Sequence, residues 1–259
     1  MQALSAAPPE TFRSVRFVLT DMDETLTHQG RLSAATYAAL EQLQAAGIKV
    51  IPVTAAPAGW CDQMARMWPV DGVIGENGGL FFRRTPDGHG VMRTFWHGPD
   101  QLATMRGRLE AIGHSVRHRV PEATHADDQP FRQTSLAFAR PQDKAATRHL
   151  VEALHAEGAD ATVNNLWVLG WLGGYDKLAM TRRVMVENYG VDIDAQRDAV
   201  LYAGDSTNDA PMFGFFRHTV GMSTVREYLS EIPTWPNWIA AGPGGAGFVQ
   251  TAEAVLAGR

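Results

Sequence analysis

The chain has 259 residues, of which 45% are hydrophobic and 20% are charged, and its formal net charge is −5 at pH 7. These values are typical of a folded globular protein and exclude disordered and fibrous classes, while the acidic balance argues against a broad nucleic-acid surface. The one cysteine, Cys61, excludes an intrachain disulfide and favours a reducing compartment. The chain has no charged leader and no run of eighteen apolar residues, so we expect a cytoplasmic protein without a membrane partner.

The first 84 residues predict alternating strands and helices. Residues 15–20 form an apolar run suited to a buried strand, and Ser33 is a suitable N-cap for the helix that follows. A second apolar run covers residues 48–56, and residues 57–69 resemble a short helix bounded by prolines. Two brief strands are expected around Asn77. This alternation indicates a parallel sheet with helices on both of its faces.

Residues 85–172 predict a compact α/β insertion, and the first pattern then resumes. The insertion contains turn-rich segments, predicted helices at 101–113 and from about Pro141, and predicted strands at 134–140 and 161–174. We therefore expect two domains in an α/β fold. Residues 1–84 and 173–259 form a doubly wound, Rossmann-like core with a parallel sheet, and the insertion forms the second, smaller α/β domain.

Polar side chains are concentrated where predicted strands end or predicted helices begin. The segments are "DMDET" at 21–25, "VTA" at 53–55, "YDKL" at 175–178 and "GDSTND" at 204–209. Ligands of parallel α/β sheets bind outside the carboxyl ends of the strands. The four segments together predict one site that holds four carboxylates, a hydroxyl, an amide and an ammonium group.

Such a set of groups points to phosphoryl chemistry with a divalent cation. Carboxylates repel one another unless a cation lies among them, and hard oxygen ligands favour Mg²⁺. Lys177 would neutralise phosphate charge, while Thr54 and Asn208 would donate hydrogen bonds to phosphate oxygens. Asp21 is the candidate nucleophile, because a carboxylate that attacks phosphorus forms an aspartyl-phosphate. Asp23 is the candidate general acid and base, a role that contributes about 10²- to 10⁴-fold in rate.

The four segments resemble the motifs of the haloacid dehalogenase superfamily of phosphohydrolases. "DMDET" is similar to the first motif, Asp-x-Asp followed by x and Thr or Val. Thr54 is similar to the second motif, Lys177 to the third, and "GDSTND" to the fourth, in which Asp205 and Asp209 are the acidic positions. The resemblance covers nearly the whole chain.

The resemblance implies particular roles and a particular subgroup. It implies that Asp21, Asp205 and the backbone carbonyl of Asp23 hold Mg²⁺, with Asp209 supporting the metal ligands. The insertion falls between the second and third motifs, as in the subclass IIB phosphatases with a large α/β cap, and "GENGG" at 75–79 is also similar to that subgroup. The insertion is therefore expected to be a substrate-specificity cap.

Two positions depart from the family pattern. Many relatives have Gly where this chain has Glu24, and this bears on the local turn, because Gly reaches backbone conformations that Glu disfavours. Many relatives have Thr-Gly-Arg where this chain has Thr54, Ala55 and Ala56. The second departure removes an arginine from the expected substrate side of the site.

The predicted reaction is hydrolysis of a small phosphomonoester, a sugar phosphate or a phosphoglycerate derivative, by a monomer or homodimer. Two alternatives stay open on sequence grounds. A phosphomutase of the same superfamily uses the same residues, and a non-catalytic relative would use the pocket to sense a metabolite. Loss of Asp21 or Asp23 would mark the second alternative, and both residues are present.

Weaker signals lie in the insertion. His114 and His118 are four residues apart, but Gly113 is expected to end the helix before them, so we interpret them as solvated. Trp167 and Trp171 share one face of a predicted strand, which favours packing over a wall for a sugar ring. Four arginines are expected at the solvated surface by default: Arg117, Arg119, Arg132 and Arg140.

Overall fold

A computed structural model describes residues 1–164 and 166–259 of the chain. It has a six-stranded core sheet in which every pairing is parallel. It also has two three-stranded antiparallel sheets, and the one in the insertion carries helices on one face. The α/β class and the doubly wound core predicted from the sequence are confirmed. Among the described residues, no helix is both long enough and apolar enough to cross a membrane.

The structure contains the main strands and helices that the sequence predicts and adds short strands. The strands are β1 (Gln2–Ala3), β2 (Phe17–Thr20), β3 (Thr27–His28), β4 (Arg31–Leu32), β5 (Lys49–Pro52), β6 (Val73–Gly75), β7 (Leu80–Arg84), β8 (Val91–Phe95), β9 (Ser135–Ala139), β10 (Asp160–Val163), β11 (Trp167–Trp171), β12 (Val200–Gly204), β13 (His218–Gly221) and β14 (Trp238–Ile239). The α-helices are α1 (Ala34–Ala45), α2 (Ala58–Met67), α3 (Pro99–Arg119), α4 (Lys144–Ala156), α5 (Lys177–Tyr189), α6 (Ala210–Phe215) and α7 (Gly244–Ala257). The added short strands are β1, β3, β4 and β8.

The core sheet has the order β1-β14-β13-β12-β2-β5, so β2 lies between β12 and β5. Thr20 at the end of β2 is paired with Ala203 on one side and with Pro52 on the other. Since the three strands run parallel, the loops after them leave the sheet at the same edge. This register brings the first, second and fourth predicted motifs together.

Local sequence explains where two of the core helices begin. The Ser33 hydroxyl accepts the backbone N–H of Thr36 at 3.0 Å, which confirms Ser33 as the N-cap of α1. The Asp176 carboxylate accepts the backbone N–H of Ala179 at 2.6 Å, so α5 begins at Lys177. A helix that begins there holds the Lys177 side chain beside the carboxyl edge of the sheet.

Apolar side chains fill both faces of the core sheet. One cluster includes Leu40, Val50 and Phe248, which are fully buried among helices α1 and α7 and the sheet. The other includes Leu19 and Met180 and lies between the sheet and helices α5 and α6. These two layers fix the strand ends from which the polar loops emerge.

A second, antiparallel sheet of β6, β7 and β8 continues from the edge of the core. Val53 forms a parallel bridge with Ile74, and Leu80 in β7 is paired with Phe95 in β8. Residues 91–95 therefore pack beside helix α2 together with the residues that precede position 85. The division into a core of residues 1–84 and 173–259 and a cap of residues 85–172 stays a prediction.

The sheet of the insertion has the order β10-β11-β9, and its two faces differ. Val168 and Phe138 point toward helices α3 and α4 and are fully buried there. Trp167 and Trp171 lie on the opposite face, packed near Ala55 of the core, and each is 5% exposed. The packing interpretation of these two tryptophans is confirmed.

The expected end of a helix at Gly113 is wrong, because α3 continues from Pro99 to Arg119. Gly113 is buried against the sheet of the insertion, where an added Cβ would lie 3.3 Å from His125 and 3.4 Å from Leu136. Close packing therefore explains this glycine. His114 and His118 both lie on the continuous helix and are exposed, in agreement with the solvated interpretation.

Candidate active site

The loop of the first motif is tied to the neighbouring strand of the core. The backbone N–H of Asp21 donates to the carbonyl of Ala203 at 2.9 Å, immediately before the fourth motif. The side chains of Asp21 and Asp205 are both buried, at 4% and 1% exposed. The structure thus brings carboxylates 184 positions apart in the sequence into one place.

Lys177 lies between two of these carboxylates. Its ammonium Nζ donates to Asp21 Oδ1 and to Asp209 Oδ1, each at 2.8 Å, and the lysine side chain is 2% exposed. A buried ammonium requires such partners, because an unpaired charge in this environment is strongly disfavoured. The first, third and fourth motifs therefore meet at one ammonium group.

Gly78 in the "GENGG" segment allows the N-terminus of α5 to reach this position. Its φ of +112° is one that residues with a Cβ rarely adopt, and an added Cβ would lie 2.3 Å from the carbonyl oxygen of Asp176. Asp176 directly precedes Lys177. The glycine thus allows the segment to pack closely against the start of the helix that carries the lysine.

Asp209 is surrounded by hydrogen-bond donors. Oδ1 accepts from Lys177 and from the Tyr202 hydroxyl, and Oδ2 accepts the backbone N–H groups of Asp205 and Ser206 at 2.9 and 3.1 Å. An ionised carboxylate has about four acceptor positions, and these four donors use them. The arrangement favours a role for Asp209 in holding the loop that presents Asp205.

The acidic residues form a set that fits a hard divalent cation. One carboxylate oxygen from each of Asp21, Asp205 and Asp209 lies within 4.8 Å of the others. The hydroxyl of Thr25 also donates to Asp205 Oδ1 at 3.3 Å, which orients that carboxylate. Carboxylate oxygens at this spacing match the preference of Mg²⁺ for a few protein ligands. The expected acidic cluster is therefore present, with a spacing that suits a metal ion.

The charges of the site are not balanced by the protein. Burial raises the pKa of Asp21 to about 7 against the attraction of Lys177, and the charges of Asp209 and Asp23 add to the rise. Burial likewise raises the pKa of Asp23 to about 6, again against the attraction of Lys177. Burial opposes the charge on Lys177, but Asp209 and Asp21 outweigh it and raise the pKa of the ammonium above its usual range. A cation among the carboxylates would relieve this excess of negative charge.

Thr54 and Asn208, the predicted phosphate-binding residues, lie in the loops at the same edge. Thr54 is buried, and its hydroxyl oxygen accepts the backbone N–H of Ala56 at 3.0 Å. Asn208 is half-buried, and its side-chain oxygen accepts from the Ser206 hydroxyl at 2.8 Å. In both residues the bond fixes the orientation of the side chain within its motif loop.

Glu24 occupies the kind of turn for which relatives use glycine. Its φ is +55°, in the left-handed region that disfavours residues with a Cβ. Its carboxylate accepts the backbone N–H of Gln29 at 2.7 Å and lies 2.8 Å from Nδ1 of His28. These contacts hold the side chain that replaces glycine, and the β3–β4 hairpin follows directly.

Glu76 is a buried carboxylate that the sequence analysis did not select. It is fully buried and accepts five hydrogen bonds: from the backbone N–H groups of Ala58, Gln133 and Thr134 and from the hydroxyls of Thr134 and Ser135, at 2.7 to 3.0 Å. The donors come from helix α2 and from residues 133–135 of the insertion. Glu76 therefore connects the core to the insertion, and its position in "GENGG" was the signal for it.

Arg132 was expected at the solvated surface, and this is wrong. Its guanidinium donates to both carboxylate oxygens of Asp128, at 3.0 and 2.7 Å, and to the carbonyl of Ala55 at 2.9 Å. It also lies 5.0 Å from the ring centre of Trp167, and its side chain is fully buried. An arginine of the insertion thus contacts the second-motif loop, where Ala56 stands in place of the arginine of the family pattern. Arg117, Arg119 and Arg140 are exposed, as expected.

Comparison with known proteins agrees with this geometry. Residues 18–89 match the family model of the haloacid dehalogenase-like hydrolases. No curated protein sequence matches the chain significantly. Solved structures do match it over nearly its whole length, at low sequence identity.

Three of these structures illustrate the shared fold. The crystal structure of Thermoplasma acidophilum 0175 has a TM-score of 0.72 at 17% identity, with 94% of this chain and 99% of that one covered. The sucrose-phosphatase of Synechocystis sp. PCC6803, solved with sucrose and phosphate, has a TM-score of 0.65 at 15% identity, with 92% and 97% covered. BT1666 of Bacteroides thetaiotaomicron, described among phosphatases of this superfamily, has a TM-score of 0.59 at 20% identity, with 98% and 99% covered.

Residues 18–89, which include the first two motifs, are thus similar to the haloacid dehalogenase-like hydrolases, the family that the motifs resemble. The solved structures show that the chain shares their fold over nearly its whole length. The enzyme class expected from the sequence, a phosphatase, is consistent with every one of these observations.

Proposed function

We propose that the chain is a Mg²⁺-dependent phosphatase that hydrolyses a small phosphomonoester through an aspartyl-phosphate on Asp21. A sugar phosphate or a phosphoglycerate derivative is the proposed substrate. One structural relative is a sucrose-phosphatase bound to sucrose and phosphate, and another is a trehalose-6-phosphate phosphatase related protein. The predicted cytoplasmic location and the monomeric or homodimeric state are parts of the same proposal.

The observation that carries the proposal is the position of Lys177. Its ammonium contacts Asp21 and Asp209 at 2.8 Å each, although the three residues belong to different motifs. An ammonium at this place supports the nucleophile on one side and offers charge to a phosphate on the other. A cluster that served only stability would have no need of a further carboxylate at Asp23.

In the first half of the proposed reaction, a carboxylate oxygen of Asp21 attacks phosphorus. The bond between phosphorus and the ester oxygen breaks, and Asp23 gives its proton to the leaving alcohol. Lys177, Thr54 and Asn208 hold the phosphate oxygens. Their charge and hydrogen bonds stabilise the negative charge that these oxygens carry in the transition state.

In the second half, Asp23 takes a proton from water, and the water oxygen attacks the phosphorus of the aspartyl-phosphate. The bond to Asp21 breaks, orthophosphate leaves, and both aspartates return to their starting states. Asp21, the backbone carbonyl of Asp23 and Asp205 would hold Mg²⁺, with Asp209 in support. When bound, Mg²⁺ neutralises phosphate charge and offsets the repulsion among the carboxylates.

The test is release of phosphate from p-nitrophenyl phosphate and from a panel of phosphorylated metabolites, with Mg²⁺ and with EDTA. We expect Mg²⁺-dependent turnover, and a loss of at least about 10³-fold in kcat for the Asp21→Asn variant, because the amide does not attack phosphorus. Trp235→Ala, at an exposed position outside the site, serves as the matched control.

Full activity of Asp21→Asn would overturn the assignment of the nucleophile. Phosphate release that requires a bisphosphate activator would favour the phosphomutase instead. Metabolite binding without turnover across the whole panel would favour the non-catalytic relative.

A further inference from the structure

A cavity of about 330 Å³ opens beside Asp23, between the β3–β4 hairpin, helix α2 and the insertion. Asp23, the proposed acid for the leaving alcohol, is one of its lining residues. This volume is at the lower end of the range for small-molecule sites. A cavity that adjoins the proton donor is placed to receive whatever is attached to the phosphate.

The wall of the cavity is mainly apolar. Its apolar side chains are Met22, Leu32, Trp60, Met64, Trp68 and Leu166. Met22 and Met64 are buried, which gives the floor a fixed shape, while Trp60 is 40% and Leu166 47% exposed. Large apolar side chains at the surface of a cleft mark a place where a ligand is bound.

The Trp60 side chain packs against Trp167 of the insertion. Its ring lies at 64° to the ring of Trp167, with 6.3 Å between the ring centres, and Trp167 in turn lies against the Arg132 guanidinium. The tryptophan therefore has support from the insertion while part of its surface stays open to the cavity. An aromatic face of this kind packs on the C–H surface of a sugar ring or on another aromatic ring.

The charge of the cavity excludes one group of ligands. None of the described lining residues is a lysine or an arginine, and the only ionisable one is Asp23. A carboxylate or a second phosphate placed here would lose its hydration without gaining a cationic partner. It would also be repelled by Asp23 whenever that group is ionised.

We propose that this cavity is the leaving-group subsite and that it selects phosphomonoesters of uncharged alcohols with an apolar face. This inference rests on the proposed phosphatase function and narrows it. Esters of neutral sugars or aromatic alcohols fit the subsite, whereas phosphoglycerates and bisphosphates do not. Trp60 is the specificity-determining residue.

The test compares three esters of primary alcohols: methyl phosphate, benzyl phosphate and 4-carboxybenzyl phosphate. The leaving group of methyl phosphate is too small to fill the cavity. The two benzyl esters differ from each other by one carboxylate. We expect kcat/KM for benzyl phosphate to exceed that for each of the other two by about tenfold or more, which corresponds to about 1.4 kcal/mol.

Variants of Trp60 test whether this residue causes the preference for benzyl phosphate over methyl phosphate. In Trp60→Ala we expect the ratio of kcat/KM for benzyl over methyl phosphate to fall about tenfold, and Trp60→Phe should retain most of it. Trp235→Ala removes a tryptophan that is 53% exposed and does not line the cavity, so the ratio should not change. An unchanged ratio in Trp60→Ala would overturn the role of Trp60.

Binding to the Asp21→Asn variant, measured by calorimetry, separates this inference from the proposed function. Tighter binding of benzyl phosphate than of 4-carboxybenzyl phosphate supports the subsite even if the wild-type protein has no turnover, a result that would overturn the phosphatase proposal alone. Equal or tighter binding of 4-carboxybenzyl phosphate overturns the subsite, whatever the activity of the wild-type protein.

Discussion

Two buried acidic regions of this molecule can be compared: the cluster around Lys177 and the site where the Glu76 carboxylate is hydrogen-bonded. In the cluster, Asp21 and Asp209 share the ammonium group of Lys177, and a carboxylate oxygen of Asp205 lies within 4.8 Å of theirs. In the second region, the Glu76 carboxylate alone accepts five hydrogen bonds from backbone and hydroxyl donors. Both regions are shielded from water, so burial by itself does not distinguish them.

The difference lies in how each region meets its electrostatic needs. The donors around Glu76 satisfy its oxygens within the protein, and such a carboxylate stabilises the contact between the core and the insertion. The cluster holds more carboxylates than Lys177 can neutralise. Burial raises the pKa of Asp21 to about 7, and the charges of Asp209 and Asp23 add to the rise. An acidic site that the protein leaves unbalanced is suited to bind a cation and a substrate.

The largest expected effect follows from removing the shared ammonium group. Lys177→Met leaves Asp21 and Asp209 buried without a cationic partner, and we expect a loss of about 3–5 kcal/mol in the free energy of unfolding. Urea denaturation without Mg²⁺ measures it. Lys144→Met is the matched control, because the Lys144 side chain is 87% exposed, and should change stability by less than about 0.5 kcal/mol. A similarly small loss for Lys177→Met would show that the cluster does not depend on this charge.

The second prediction separates the two regions by their response to Mg²⁺. An ion that binds only the folded state at about 100 times its Kd adds about 2.7 kcal/mol of stability. We expect this gain in the wild-type protein and in Glu76→Gln, but not in Asp205→Asn. Thermal unfolding in increasing MgCl₂ at constant ionic strength measures it. An equal gain in Asp205→Asn would place the ion elsewhere.

The third prediction concerns the hydrogen bonds of the Glu76 carboxylate. Glu76→Gln replaces one accepting oxygen with an NH₂ group that faces donors from residues 133–135, and we expect a loss of about 2 kcal/mol. Urea denaturation provides the measurement, and Glu41→Gln on the exposed face of α1 is the control. If both variants lose the same small amount, the five hydrogen bonds do not stabilise the contact.

The smallest expected effect tests the turn after the first motif. Because Glu24 has a φ of +55°, Glu24→Gly relieves backbone strain that Glu24→Ala keeps, and both variants lose the contacts to His28 and Gln29. We expect the Gly variant to be about 1 kcal/mol more stable than the Ala variant. Equal stability, measured by thermal unfolding, would mean that the left-handed conformation is not strained here.

The sequence by itself determined the features that have a local pattern. Apolar runs that end in Asp21 and Asp205 indicate buried strands with polar groups at their carboxyl ends, and Ser33 marks the start of a helix. Parallel pairing then requires those ends to share one edge of the sheet. The α/β class, the acidic cluster and the site of Lys177 followed from these patterns.

Only the tertiary structure decided which distant groups satisfy one another. The donors to Glu76 come from positions 58 and 133–135, and Arg132 contacts a carbonyl 77 residues away. Gly113 lies inside a helix because a sheet packs closely against it. Hydrogen bonds and close packing depend on distance in space, and residues remote in sequence leave no periodic pattern that shows which of them will meet.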